Sequence, residues 1–310
     1  MTGNVPTATL NNGVEMPMLG FGVFQVPDPA ECERSVRDAI DVGYRLLDTA
    51  ASYGNEEAVG AAIRSHGIDR RDLFVTTKLW VQDASYEGAK AAFERSMNKL
   101  QLDYLDLYLI HTPFAFQPGD NQDPRDKDGN VIYDPTTTLQ DTWKALETLV
   151  DHGKCRAIGL SDITLDKLKP IYESARIKPA VVQVESHPYL PETELLDFCN
   201  KNGIVLLAFA PLGHGMTPGL LEDPVINGVA KRINKTPAQV LLAWAIQRGT
   251  ALLTTPKSAA RAKENFDLSR LPQDAFDEIN RIQTRQRLNP VVTTGVPGFI
   301  PQAKSTAQGT

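Results

Sequence analysis

The sequence predicts an α/β protein of the (β/α)8 TIM-barrel class, and three observations carry that prediction. Short apolar runs alternate with longer amphipathic stretches from Tyr44 onward, and eight such strand-then-helix units over about 240 residues match the rhythm of that barrel. No early strand is followed by G-x-G-x-x-G or a P-loop, as a doubly wound sheet would require, and the G-x-G of Gly20 and Gly22 stands in a hairpin context. The chain of 310 residues is 42% hydrophobic, which is enough for one large core.

The elements follow in order. Residues 7–24 place an Asn-Asn-Gly turn between two alternating segments, a β-hairpin before the main fold. Pro27 and Asp28 open a helix that runs to about Val42. Strands are then expected at 44–48, 73–79, 105–111, 155–161, 180–186, 204–210, 251–256 and 265–268. The helices between and after them fall at 55–65, 85–100, 138–151, 164–174, 192–202, 223–234, 237–248, 258–263 and 272–284. Glu56 and Glu57 sit in the first turn of their helix, where its dipole favours negative charge. No linker divides the chain, so residues 1–310 are read as one domain.

Two segments break the rhythm. Residues 112–137 form a long Pro-, Gly- and Asp-rich loop, of the kind that serves as a lid or specificity loop. Its Phe114 and Phe116 either cover an apolar substrate or pin the loop to the barrel. The tail, residues 285–310, carries Pro290, Pro297 and Pro301 without periodicity and is expected to be a loop whose middle docks over the site.

Composition narrows the function. The net charge is −6 with both signs interspersed, so there is no basic face for nucleic acid or an anionic membrane, and a small-molecule partner is expected. Cys32, Cys155 and Cys199 are odd in number and widely spaced, which fits reduced thiols in a cytoplasmic protein better than a disulfide framework. No Cys or His cluster has metal-ligand spacing, and no apolar run is long enough to cross a bilayer.

Three strand ends carry chemistry. The strand over 44–48 ends in Asp48 with Tyr53 five positions on, LFVTTKL ends with Lys78 next to last, and LDLYLIH ends with His111. Strand ends are where barrels gather their reactive groups. A lysine in a buried run is costly unless paired, and Asp48 is its obvious partner. Tyr53 puts a second proton-active group beside Asp48 at that strand end.

The chain resembles the aldo-keto reductase family from Leu10 into the tail. The resemblance rests on LNNGVEMPMLGFG, GYRLLDTAASYGNEE, TTKLW, LIHTP, GLSD, VQVESHPYL, FAPLGHG and TPKSAARAKEN, in that order. It implies a (β/α)8 barrel that reduces carbonyls with a nicotinamide cofactor, and a catalytic tetrad at Asp48, Tyr53, Lys78 and His111. Tyr53 would be the general acid, Lys78 would lower its pKa by favouring phenolate, Asp48 would keep Lys78 charged and placed, and His111 would orient the carbonyl oxygen.

The cofactor implied is NADPH, with NADH as the second candidate. The binding set begins with Gly22 and Val23. Ser161, Asp162 and Gln183 would hold the nicotinamide carboxamide, Phe209 would stack on the ring, and Leu212 and Gly213 would lie by the pyrophosphate. Lys257, Ser258 and Arg261 would grip the 2′-phosphate, with Glu264 and Asn265 at the adenine. Asp162 stands where the family usually has asparagine, Ala210 where it has serine, and the 257–264 segment is shorter than the commonest form.

Phe24, Trp80, Thr112, Phe114, Phe116 and Phe299 would line a substrate pocket suited to aromatic or medium-chain aldehydes and ketones. Thr112 replaces a frequent tryptophan and would widen one wall. A monomer is expected. The reading from another class is a non-catalytic NADPH-binding regulatory subunit of a membrane protein, since this barrel is also used in that way, but the complete tetrad argues against it.

Overall fold

A computed structural model describes residues 5–215 and 219–288. The part of the expected tail loop from 289 on, with Phe299, lies outside the described residues.

Strands β1 (Thr7–Thr9) and β2 (Glu15–Pro17) pair antiparallel as the N-terminal hairpin. Strands β3 (Leu19–Gly22), β4 (Leu46–Asp48), β5 (Phe74–Leu79), β6 (Leu105–Ile110), β7 (Cys155–Ser161), β8 (Val181–Glu185), β9 (Val205–Phe209) and β10 (Ala251–Thr254) close into a parallel barrel. The neighbours run in chain order from β3 to β10, and β10 pairs back onto β3 through Leu252 with Leu19. Around it lie α1 (Pro29–Val42), α2 (Glu56–His66), α3 (Tyr86–Leu100), α4 (Leu139–Asp151), α5 (Leu165–Ser174), α6 (Thr193–Lys201), α7 (Pro224–Arg232), α8 (Pro237–Gln247), α9 (Ala259–Glu264) and α10 (Gln273–Asn280).

Two of the expected strand positions differ in the fold. The first barrel strand is β3, not the run at Tyr44, and residues 265–268 are no strand. Leu19–Gly22 reads as the end of the hairpin because its two glycines weaken a strand on propensity. The barrel needs Gly20 for close packing, since a Cβ there would come within 2.6 Å of the Leu46 and Leu253 side chains. After α9 the amides of Phe266 and Asp267 bond back to Lys263 and Glu264 in helix-type turns, so they are not offered to a ladder.

Local chemistry explains the helix starts. Asp28 accepts from the Glu31 amide with Pro29 opening α1, while Thr138 and Thr236 form reciprocal capping boxes with Asp141 and Gln239 at α4 and α8. The core has two layers. Leu46, Phe74, Leu107, Leu109, Val181 and Leu207 fill the barrel interior together with Leu10 and Met16 of the hairpin region, and a larger apolar shell joins the barrel wall to the helices. Asn11 and Asn12 donate side-chain amides to the carbonyls of Pro179 (2.9 Å) and Arg156 (2.7 Å), fastening the hairpin over the N-terminal mouth. The opposite mouth, at the C-terminal strand ends, is left to the site.

Candidate active site

β4 is buried throughout and delivers Asp48 to the C-terminal mouth, where the chain enters a short turn, Ala51–Tyr53, closed by Gly54 at φ 70°. Asn55 fixes that turn. Its Nδ2 donates to the carbonyls of Val23 (3.0 Å) and Val26 (3.2 Å), and its Oδ1 accepts from the Thr49 hydroxyl at 2.7 Å. Glu56, the next residue, accepts from Thr77 of β5 at 2.6 Å, which ties α2 to the wall. Neither residue was singled out from the sequence as a support, because an Asn and a Glu at a helix start read only as capping.

Lys78 Nζ reaches Asp48 Oδ1 at 2.5 Å, the Thr49 carbonyl at 2.9 Å and the Tyr53 hydroxyl at 3.3 Å. Gln183 of β8 donates to the other Asp48 oxygen at 2.9 Å. His111 follows β6, its Nδ1 3.3 Å from Ser52 Oγ, with the Tyr53 and Trp80 rings edge-on at 5.6 and 5.1 Å. Four separate strand or loop ends thus meet at one point.

Burial sets the protonation states. It pulls Lys78 down, but Asp48, Tyr53 and their hydrogen bonds outweigh it and leave the ammonium above its usual pKa. For Tyr53 burial raises the pKa above 10.0 and Lys78 only partly offsets it, so the expected net lowering does not occur in this site. Burial, helped by Lys78, pushes His111 well below 6.5, and the imidazole is neutral near physiological pH.

A cleft of about 630 Å³ runs from this floor along the strand ends. Asp48, Tyr53, His111, Ser161, Asp162 and Gln183 line its inner end, with Phe24, Phe209, Leu212 and Gly22 beside them and Lys257 and Arg261 farther out. Both outer cations are exposed, and no carboxylate among the described residues pairs with either. Ser258 next to them caps α9. Gly213 is pressed against Leu220 and Leu288, where a Cβ would meet each at 3.1 Å. Val23 stands behind the wall, its amide donating to the Asp48 carbonyl at 3.1 Å. Ala210 and Asp162 both have left-handed backbones, φ 49° each, and such strain in a non-glycine residue tends to collect at functional sites.

Some expected residues are not brought to the cleft wall. The Asn265 amide turns into the core toward Tyr44 (3.3 Å) and Thr254 (3.4 Å), and Glu264 accepts from Thr236 at 2.6 Å. Phe114 stacks on Phe116 at 5.4 Å, and both rings meet Tyr133, so they pin the long loop to itself. Phe116 also meets Trp80 at 5.8 Å, and Trp80 Nε1 holds the Gln122 carbonyl at 2.7 Å. Thr112 is buried with its hydroxyl unpartnered among the described residues. Conversely, Gln25, Glu31 and Ser35 line the cleft without any sequence pattern that marks them.

The model of the Aldo/keto reductase family matches residues 18–284, nearly the whole barrel. This chain belongs to the aldo-keto reductase family. Glyoxal reductase of Bacillus subtilis is 44% identical over 288 residues, spanning 92% of this chain and 95% of that protein. Aldo-keto reductase family 1 member A1 of Gallus gallus is 42% identical over 304 residues, 93% and 91% of the two chains. The 9,11-endoperoxide prostaglandin H2 reductase of Trypanosoma cruzi is 40% identical over 292 residues, 93% and 95%. The chain is therefore an oxidoreductase of a carbonyl-reducing family. Among its described residues no helix is long and apolar enough to cross a membrane, and no group of His, Cys, Asp or Glu is arranged to hold a metal ion.

Proposed function

We propose that this aldo-keto reductase reduces aldehydes or ketones to alcohols with NADPH, Tyr53 being the general acid. The observation that carries the reading is the contact of the Tyr53 hydroxyl with Lys78 Nζ at 3.3 Å, at the floor of a cleft whose outer end holds the exposed cations Lys257 and Arg261, which pair with no carboxylate among the described residues. The residues present fit a phosphorylated dinucleotide: the cleft of about 630 Å³ is polar at its inner end and cationic where a 2′-phosphate would lie.

When bound, the nicotinamide supplies the hydride that reduces the carbonyl carbon. The residues do the rest. Tyr53 stays protonated near neutrality and gives its proton to the carbonyl oxygen as negative charge develops there. Lys78 stabilises the phenolate that this leaves, and Asp48 keeps Lys78 charged and aimed. His111, neutral and held at Nδ1 by Ser52, offers its other nitrogen to orient the oxygen. Phe24, at 5.2 Å from the Tyr53 ring, supplies an apolar wall of the cleft that suits aromatic or medium-chain substrates.

The same reading takes the chain as one catalytic domain acting as a cytoplasmic monomer, in keeping with three buried free thiols. The test is nicotinamide absorbance with NADPH and with NADH over a panel of aldehydes and ketones. Oxidation of NADPH by the wild type, faster than of NADH, supports the reading. Tight nucleotide binding without turnover of any carbonyl would replace it with a regulatory role.

A further inference from the structure

Asp162 follows β7 and presents a carboxyl group to the inner end of the cleft, beside Gln183, Tyr53 and Asp48. The residue is 4% exposed, and no hydrogen bond or ion pair from the described residues reaches its carboxyl group. Its backbone is left-handed at φ 49°, and its amide donates to the Gln183 carbonyl at 2.9 Å, which fixes the backbone that carries the carboxyl group. A nearly buried carboxyl group that opens only into the cleft takes its hydrogen-bond partner from what occupies the cleft, water or a ligand.

We propose that Asp162 selects between the two redox forms of the nicotinamide: protonated, it hydrogen-bonds the neutral ring's amide substituent, and ionised, it favours the cationic ring of the oxidised form. This rests on the reading of the cleft as a nicotinamide site and deepens it. A neutral carboxyl group both donates and accepts, as an amide does, whereas a carboxylate only accepts and carries charge.

The surroundings place the proton in balance. Burial favours the neutral form most strongly; Arg287 at the root of the tail opposes it, Glu185 of β8 reinforces it, and Lys78 of β5 opposes it. The outcome is a carboxyl pKa raised to about 7. Of the other titratable groups at this end of the cleft, Tyr53 and Lys78 titrate above their already high values and His111 well below 6.5, so all three are silent around neutrality. Asp48 is engaged by Lys78 and Gln183. A phosphate on the nucleotide that titrates near pH 6 is common to both redox forms, and its effect cancels in their ratio.

Binding of the cationic ring lowers the pKa of the facing carboxyl group, so the oxidised form binds with proton release and the reduced form does not. The test is the dissociation constant of NADP+ and of NADPH between about pH 6 and pH 8, for the wild type and Asp162→Asn. Asparagine tolerates the left-handed backbone and keeps the shape. For the wild type the ratio of the NADP+ to the NADPH constant falls about tenfold across that range, the effect of one pH unit in a linked proton. In Asp162→Asn it is flat.

As a second measurement, calorimetry of the wild type in buffers of different ionisation enthalpy shows fractional proton release with NADP+ and none with NADPH. A flat wild-type ratio, an unchanged slope in Asp162→Asn, or equal proton release for both nucleotides overturns the proposal while leaving the nicotinamide site standing. Failure of the wild type to bind either nucleotide instead overturns the reading of the cleft and this proposal with it.

Discussion

Lys78 and Asp48 form an ion pair of 2.5 Å whose side chains are 1% and 3% exposed, on the adjacent strands β5 and β4. Removing one partner leaves the other charge buried and uncompensated. Asp48→Asn and Lys78→Met are each expected to lose about 3–5 kcal/mol of stability, as broken buried pairs do. The double variant has no charge left to strand, so its loss is smaller than the sum. Denaturant unfolding of the four proteins measures this, and strict additivity would contradict the coupling.

Asn55 holds the turn that carries Tyr53 through three hydrogen bonds. Asn55→Ala leaves the Val26 carbonyl and the Thr49 hydroxyl without a partner, at about 1–3 kcal/mol for buried groups left unsatisfied, while the Val23 carbonyl keeps the Val26 amide. Turnover is expected to fall while the nucleotide dissociation constant stays within about twofold, since misplacement affects the reacting end. Parallel kinetics and nucleotide titration check both halves.

Asp162 makes stability depend on pH in a definite direction. Its pKa rises from the usual 3.8 to about 7 on folding, so the folded state holds a proton that the unfolded state has released between those values. The contribution is full below 3.8 and is lost as pH rises through about 7, which makes ionised Asp162 a liability in alkali. Asp162→Asn is therefore expected to raise Tm at pH 8, by up to about 4 kcal/mol in stability, with the gain shrinking toward pH 4. His111 acts the other way, its depressed pKa costing stability as pH falls below 6.5. Melting curves of wild type and variant across this range separate the two.

Lys257 and Arg261 have no ion-pair partner among the described residues and stand at the outer end of the cleft. Lys257→Ala and Arg261→Ala are each expected to weaken NADPH binding about tenfold and leave NADH nearly unchanged, with the NADPH loss smaller at high salt. Fluorescence titration with both nucleotides at two salt concentrations decides it.

The chemistry at the strand ends was legible because burial and charge conflict there. A lysine inside LFVTTKL demanded a counter-ion, and Asp48 stood at the end of the preceding expected strand. Barrel strand β3 was not legible, because its glycines answer to the Leu46 and Leu253 side chains that crowd Gly20 from neighbouring strands. The support from Asn55 was hidden because its partners Val23 and Val26 lie far back in the chain. The direction of the Tyr53 shift was misjudged because sequence displays the nearby cation, whereas the larger effect, burial, belongs to the folded molecule.

The central claim is that Tyr53 delivers the proton to a reduced carbonyl. Tyr53→Phe keeps the ring against Phe24 and His111 and removes only the hydroxyl that Lys78 contacts. Single-turnover oxidation of bound NADPH by an aromatic aldehyde measures the step directly. The predicted result is a rate about 10²- to 10⁴-fold below the wild type with NADPH affinity unchanged. A Tyr53→Phe rate within about threefold of the wild type, at the same affinity, would contradict the assignment, because no proton donor worth that little fits general acid catalysis.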